Sequence, residues 1–377
     1  MFSRPKFLCV WILTLLAGVP CISAEEDKKK DPPTPRSWCQ YYWENDAFDI
    51  VSGSDRDYTN GLRFSCVRED NMTEWGLEVE SWISNWFDRP VFRSGFAFGH
   101  QMYTPEDIEA AELDLADRPW AAWLYGSFLL TISSDDDETS ARDEQGAEET
   151  TRGADSNVDD RAENPRPYAH QFELQLGVVG PPAGGRFIQK EIHQLIGDGL
   201  PTWVEEVDTK LGANLNYEYR TRLGNRNFGA SFAGGGALGN VAANAFGRVD
   251  LQAGWNIDTF APGSIRNAFM PTQTKDRSKR DFHIFLGVEG RLVGRNIFLD
   301  GSLERGSRHT IDTEHWVYDY RGGLSIRYKR FRVSYTYIER SKEFTPTRQF
   351  QDGTHGFGSF LFAFEPWRKR SDGDNSR

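Results

Sequence analysis

The chain has 377 residues, a formal net charge of -12, and 14% aromatic and 38% hydrophobic residues. Beyond residue 24 no apolar run approaches the roughly 20 residues of a membrane helix, which excludes a helical membrane protein but not a transmembrane β-barrel, whose strands are only half apolar. The charge does not point to a basic partner: residues 134–163 hold twelve Asp/Glu against Arg142, Arg152 and Arg161, so -9 of the total sits in one low-complexity run, and nucleic-acid binding is excluded.

In chain order, residues 1–24 read as a signal peptide: Arg4 and Lys6, an apolar Phe7–Val19, and small residues ending at Ala24. A charged, Pro-rich leader (25–37) precedes an expected barrel domain, 38–365, with a disordered acidic insertion at 134–166 and a polar tail at 366–377. Cleavage leaves Cys39 and Cys66, which lack zinc-ligand spacing; a disulfide in an oxidising compartment and two half-buried thiols are both open.

Period-2 segments predict strands near 39–48, 56–67, 91–102, 118–133, 167–179, 208–222, 226–239, 244–256, 280–293, 311–328, 331–343 and 355–364. Their even number suits an outer-membrane barrel. Leu223-Gly224-Asn225 and Lys329-Arg330 read as tight periplasmic turns, and the same parity places 49–55, 103–117, 180–207, 294–310 and 344–354 on the extracellular rim. Residues 75–88 look like an amphipathic helix. Within 184–197 the spacing of Phe187, Ile188, Ile192, Leu195 and Ile196 predicts a short helix ended by Gly197, with Gln189 and His193 on one face.

The first hairpin carries Trp43-Glu44-Asn45-Asp46 and Asp57-Tyr58-Thr59-Asn60-Gly61. If Cys39 faces Cys66, Asn45 faces Asn60, Asp46 faces Thr59, and Glu44 and Asp46 share a face with Asp57 and Thr59. Such oxygens suit a hard cation such as Ca²⁺, although from spacing alone a capped loop is the better reading. A lone histidine on a short helix is more often structural, but His193 falls on the same rim as Asp46 and Thr59, where it could activate water. No Gly-x-Ser-x-Gly elbow is present.

Taken in order, Glu44-Asn45-Asp46, Asp57-Tyr58-Thr59-Asn60-Gly61, Gln101-Met102-Tyr103-Thr104-Pro105, Asp117-Arg118-Pro119-Trp120, Gly177-Val178-Val179-Gly180-Pro181, and Gln189, His193, Gly197 and Trp203 resemble the lipid A 3′-O-deacylase family, LpxR. The resemblance implies a twelve-stranded outer-membrane barrel, monomeric, that hydrolyses the 3′-acyloxyacyl ester of lipid A in the outer leaflet with Ca²⁺. It implies catalytic roles for His193, Asn45, Asp46 and Thr59, and metal ligands among Asp46, Thr59, Glu44 and Asp57. Arg118, Gln189, Asp198 and Tyr103 are the expected substrate contacts. The 103–117 loop is acidic where some members carry basic residues, which leaves Arg118 as the nearest cation for a lipid phosphate, and Leu200 stands where some have tyrosine. The alternative is a barrel of this type that is structural, lipid-binding or a channel; a channel needs an open polar lumen, an enzyme a plugged one.

Overall fold

The computed structural model describes residues 37–49, 57–69, 90–112, 114, 117–134, 167–197, 199–257, 259–270, 280–301, 311–345 and 354–366. The expected signal peptide, almost all of the leader and the acidic insertion, the segment 75–88, the tail beyond 366 and Asp198 lie outside them.

Twelve strands close into one antiparallel barrel: β1 Ser37–Asn45, β2 Asp57–Glu69, β3 Val91–Thr104, β4 Ala121–Ser133, β5 Tyr168–Val179, β6 Lys210–Gly224, β7 Phe228–Gly239, β8 Ala242–Trp255, β9 Arg280–Asn296, β10 Trp316–Tyr328, β11 Phe331–Arg340 and β12 His355–Phe364. Pairing of β1 with β12 removes the exposed edge that an open sheet would present. Among the described residues two α-helices interrupt the connections, α1 (Gly185–Ile196) and α2 (Ile297–Asp300).

Alternation sorts the wall. On β10, Tyr318, Tyr320, Leu324 and Ile326 are exposed on the outside, while Asp319, Arg321, Ser325 and Arg327 are buried within. The lumen carries an ion lattice: Arg248 meets Glu218, Asp250 and Glu289, Arg63 meets Glu173, and Arg332 meets Asp281. Buried charges stay ionised only when paired this closely, so losing either partner leaves an uncompensated charge.

The β8–β9 connection folds back into the lumen. Gln171 bonds both Ala268 O and Met270 N, and Arg220 donates to Ala261 O and Asn267 O. Ile265 and Ala268 pack on Tyr42 and Leu361, and Phe260 and Phe269 on Ala169. Residues 257 and 259–270 thus form a plug, which the alternation of the flanking strands did not foretell.

The strand expectations hold with differences at the rim, where β4 begins at Ala121 rather than 118 and β9 runs on to Asn296 rather than 293. β1 ends at Asn45, because its side chain accepts from Ala47 N and starts a 3-10 turn over Asp46–Phe48. β10 begins at Trp316 rather than 311, since Ile311 N and Glu314 N bond Leu299 O and Glu343 O instead of a ladder. β11 stops at Arg340 rather than 343. Cys39 and Cys66 are paired in register and disulfide-bonded.

Candidate active site on the outer wall

The β1–β2 register brings Asn45 opposite Asn60, as the spacing predicts, but not Asp46 opposite Thr59. Asp46 has left the ladder for the 3-10 turn, and the β2–β3 register slips between Tyr58 and Asn60. This bulge alters which face each residue takes. Tyr58 points inward, where its OH donates to Glu44 Oε2 at 2.8 Å. Thr59 shares a 2.6 Å hydrogen bond with Thr104, whose neighbours Tyr103 and Gln101 line the lumen cavity from the wall's other face. The expectation that Glu44 shares a face with Thr59 is therefore corrected: Glu44 is inside, Thr59 outside. Asp57 pairs with Thr104 in the ladder.

Glu44 is buried and engaged, accepting from Tyr58 and from Ile265 N of the plug. Asp46 is also buried, with Oδ1 accepting from Ala47 N. Opposite Asn45, Asn60 Oδ1 is buried and accepts no hydrogen bond. Sequence reading assigned Asn60 no role; its position opposite Asn45 was the available signal. The orphaned amide oxygen, the adjoining Thr59 hydroxyl and the carboxylate of Asp46, which begins the turn directly after Asn45, are all oxygen donors, the chemistry that fits a hard cation. Among the described residues, no group of three or more His, Cys, Asp and Glu is placed to hold a metal. The site therefore offers one carboxylate and neutral oxygens.

One rung crosses four strands on this face: Asn45 pairs with Asn60, Asn60 with Met102, and Met102 with Ala122. At about 4.8 Å per strand, Met102 stands about 10 Å from Asn45. α1 covers the far end of the rung. Ala122, Met102, Trp120, Ala183 and Trp203 form an apolar cluster beneath it, and Gly185 lies so close to Ala122 and Trp203 that a Cβ would reach 2.6 and 2.5 Å from them.

The face that α1 turns to the protein is its polar one. Gln189 and His193 are buried, and Gln189 Oε1 accepts from Trp203 Nε1 at 2.7 Å. Trp203 adopts φ 51°, a conformation that bulky side chains avoid and that the packing around its indole imposes. His193 Nδ1 lies 2.7 Å from Gly199 O. A carbonyl can only accept, so Nδ1 carries the proton and Nε2 is the basic nitrogen. The β3–β4 connection secures this segment, with Thr202 bonded to Ile108 O through its N–H and to Ala110 O through Oγ1.

Arg118 and Tyr103 are not brought to this outer face. Both are buried on the lumen side, where Arg118 stacks on Tyr103 and lies 3.8 Å from Glu343. Glu343 also meets Arg266 of the plug and Arg340. These cations hold its carboxyl well below the usual range, so the group stays ionised.

A family model described as outer membrane protein LpxR matches residues 8–145 and 156–365. Among solved structures, LpxR from Salmonella typhimurium aligns at TM-score 0.60 with 19% identity, covering 87% of this chain and 99% of that chain. The β domain of the Bordetella autotransporter BrkA aligns at TM-score 0.40 with 10% identity, covering 88% of this chain and 99% of that chain. No curated protein matches the chain.

Proposed function

Because the chain belongs to the LpxR family of outer-membrane proteins, we propose that it is a lipid A 3′-O-deacylase that uses Ca²⁺ to hydrolyse the 3′-acyloxyacyl ester in the outer leaflet. The observation that carries the reading is the shared rung: Asn45 and Asn60 at one end and, over Met102 and Ala122, a helix whose polar face presents His193. A site on the outer wall lies where lipid is, so the substrate need not leave the membrane.

Asp46, Asn60 Oδ1 and Thr59 would hold the cation, which when bound supplies Lewis-acid polarisation of the ester carbonyl. His193, with Nδ1–H fixed on Gly199 O, takes a proton from water at Nε2 as the water oxygen attacks the carbonyl carbon. The acyl–oxygen bond breaks, and His193 returns the proton to the departing sugar oxygen, giving a free fatty acid and the 3′-hydroxyl. The Asn45 oxygen is held by Ala47 N, which leaves its amide N–H groups to donate to the oxyanion. Gln189 braces Trp203 beside the histidine.

Mass spectrometry of lipid A from cells expressing the chain tests this. The expected result is loss of the 3′ acyl chains, abolished by His193→Ala. Unchanged lipid A with folded wild-type barrel and added Ca²⁺ would overturn the reading. The plug and ion lattice favour this over a solute channel.

A further inference from the structure

α1 is amphipathic in the reverse sense of a water-exposed helix. Its buried residues are polar: Gln189 is 2% exposed and His193 5%. Its outward residues include three large apolar ones, Phe187 at 69% exposed, Leu195 at 68% and Ile192 at 39%, beside the exposed Arg186, Glu191 and Gln194. At 100° per residue Phe187, Leu195, Ile188 and Ile192 fall on one arc, and Gln189 and His193 on the opposite one. An arc of this kind facing water would leave large apolar side chains hydrated, which the hydrophobic effect disfavours.

The surface beside it identifies what covers it. β4, on which α1 rests, exposes Leu124 and Phe128 on the same outer face, and β3 exposes Phe96 and Phe98. These belong to the lipid-facing belt of a closed outer-membrane barrel. The apolar arc of α1 continues that belt toward the rim. Glu191 lies within the apolar arc, and Arg186 and Lys190 flank it on the side of His193, with Arg186 and Glu191 exposed. Charges so placed limit the depth to the boundary between headgroups and acyl chains, where long basic side chains reach the polar layer.

We infer that α1 is an interfacial membrane helix: Phe187, Ile192 and Leu195 lie among the acyl chains of the outer leaflet, and the polar face of the helix, with Gln189 and His193, is reached sideways from lipid rather than from water above. The inference rests on the barrel's place in the outer membrane and not on the deacylase reading. It adds that a ligand reaching His193 approaches in the plane of the bilayer, acyl portion first.

Nitroxide labels at Phe187→Cys and Leu195→Cys test it in the exported protein reconstituted into phospholipid vesicles, with Glu112→Cys, exposed on the neighbouring connection of the same rim, as the aqueous control. Molecular oxygen concentrates in lipid and a nickel chelate in water. Collisions with oxygen should exceed those with the chelate at 187 and 195, and the order should reverse at 112. Both outward positions relaxing like the control would overturn the proposal, and heat-modified gel mobility confirms that each labelled barrel is folded. Lipid immersion of both labels alongside unchanged lipid A would sink the deacylase reading while leaving this one intact.

Discussion

The carboxylate of Glu44 accepts the backbone N–H of Ile265 at 2.7 Å, joining the end of the first strand to the lumen plug 221 residues further on. The same carboxylate accepts the Tyr58 hydroxyl, one residue before the bulged Thr59. Glu44 thus braces, from inside, the piece of wall whose outer face carries Asn45 and Thr59 and from which the Asp46 turn departs. Glu44→Ala would leave two buried donors without an acceptor, at about 1–3 kcal/mol each. The thermal transition and the rate of lipid A hydrolysis should both fall, and Glu44→Gln, which keeps an acceptor oxygen, should lie between that variant and wild type. Wild-type activity in the alanine variant would dissociate the plug from the site.

The plug also bears on the channel alternative. Planar-bilayer recordings of the wild-type barrel should show no steady open conductance, because 259–270 is bonded to Gln171, Arg220 and Glu289 across the lumen. Replacing 259–270 with a short Gly-Ser link should create conductance. Large steady currents from the intact protein would contradict a closed lumen.

The cation can be examined without turnover. Ca²⁺ at one hundred times its Kd should stabilise the folded barrel by about 2.7 kcal/mol, read as a rise in the unfolding temperature. Asp46→Asn and Asn60→Ala should each remove most of that rise. Calcium stabilisation that survives both substitutions would move the ion elsewhere.

Glu206 supplies a pH dependence. It bridges to Trp120 in the segment behind α1, and burial pushes its carboxyl up to about 7, with Arg186 opposing the shift. The folded state holds this proton more tightly than the unfolded chain does. Its stabilising contribution is complete below the ordinary value of 4.5 and is lost as pH rises through about 7. The unfolding temperature of Glu206→Gln should gain on wild type across that window; parallel curves would count against the buried carboxyl.

Period-2 alternation by itself marked all twelve strands, since each residue's face is a local property of an extended chain. The spacing of Cys39 and Cys66 led to the right register for the first hairpin, and the helical spacing around Gln189 and His193 located α1 to within a residue. The faces of the wall needed the tertiary structure. One extra residue at Thr59 shifts it to the outside and leaves Glu44 inside, and no pattern announces a bulge. By sequence Arg118 is the cation beside the 103–117 loop, but Glu343 and Tyr103 surround it in the lumen. The plug is an irregular segment held by bonds to residues far away in the chain, so it has no period to read. The helix was legible as amphipathic, but a sequence cannot say which face meets protein and which meets lipid. The barrel beneath it decided that, by burying the polar one.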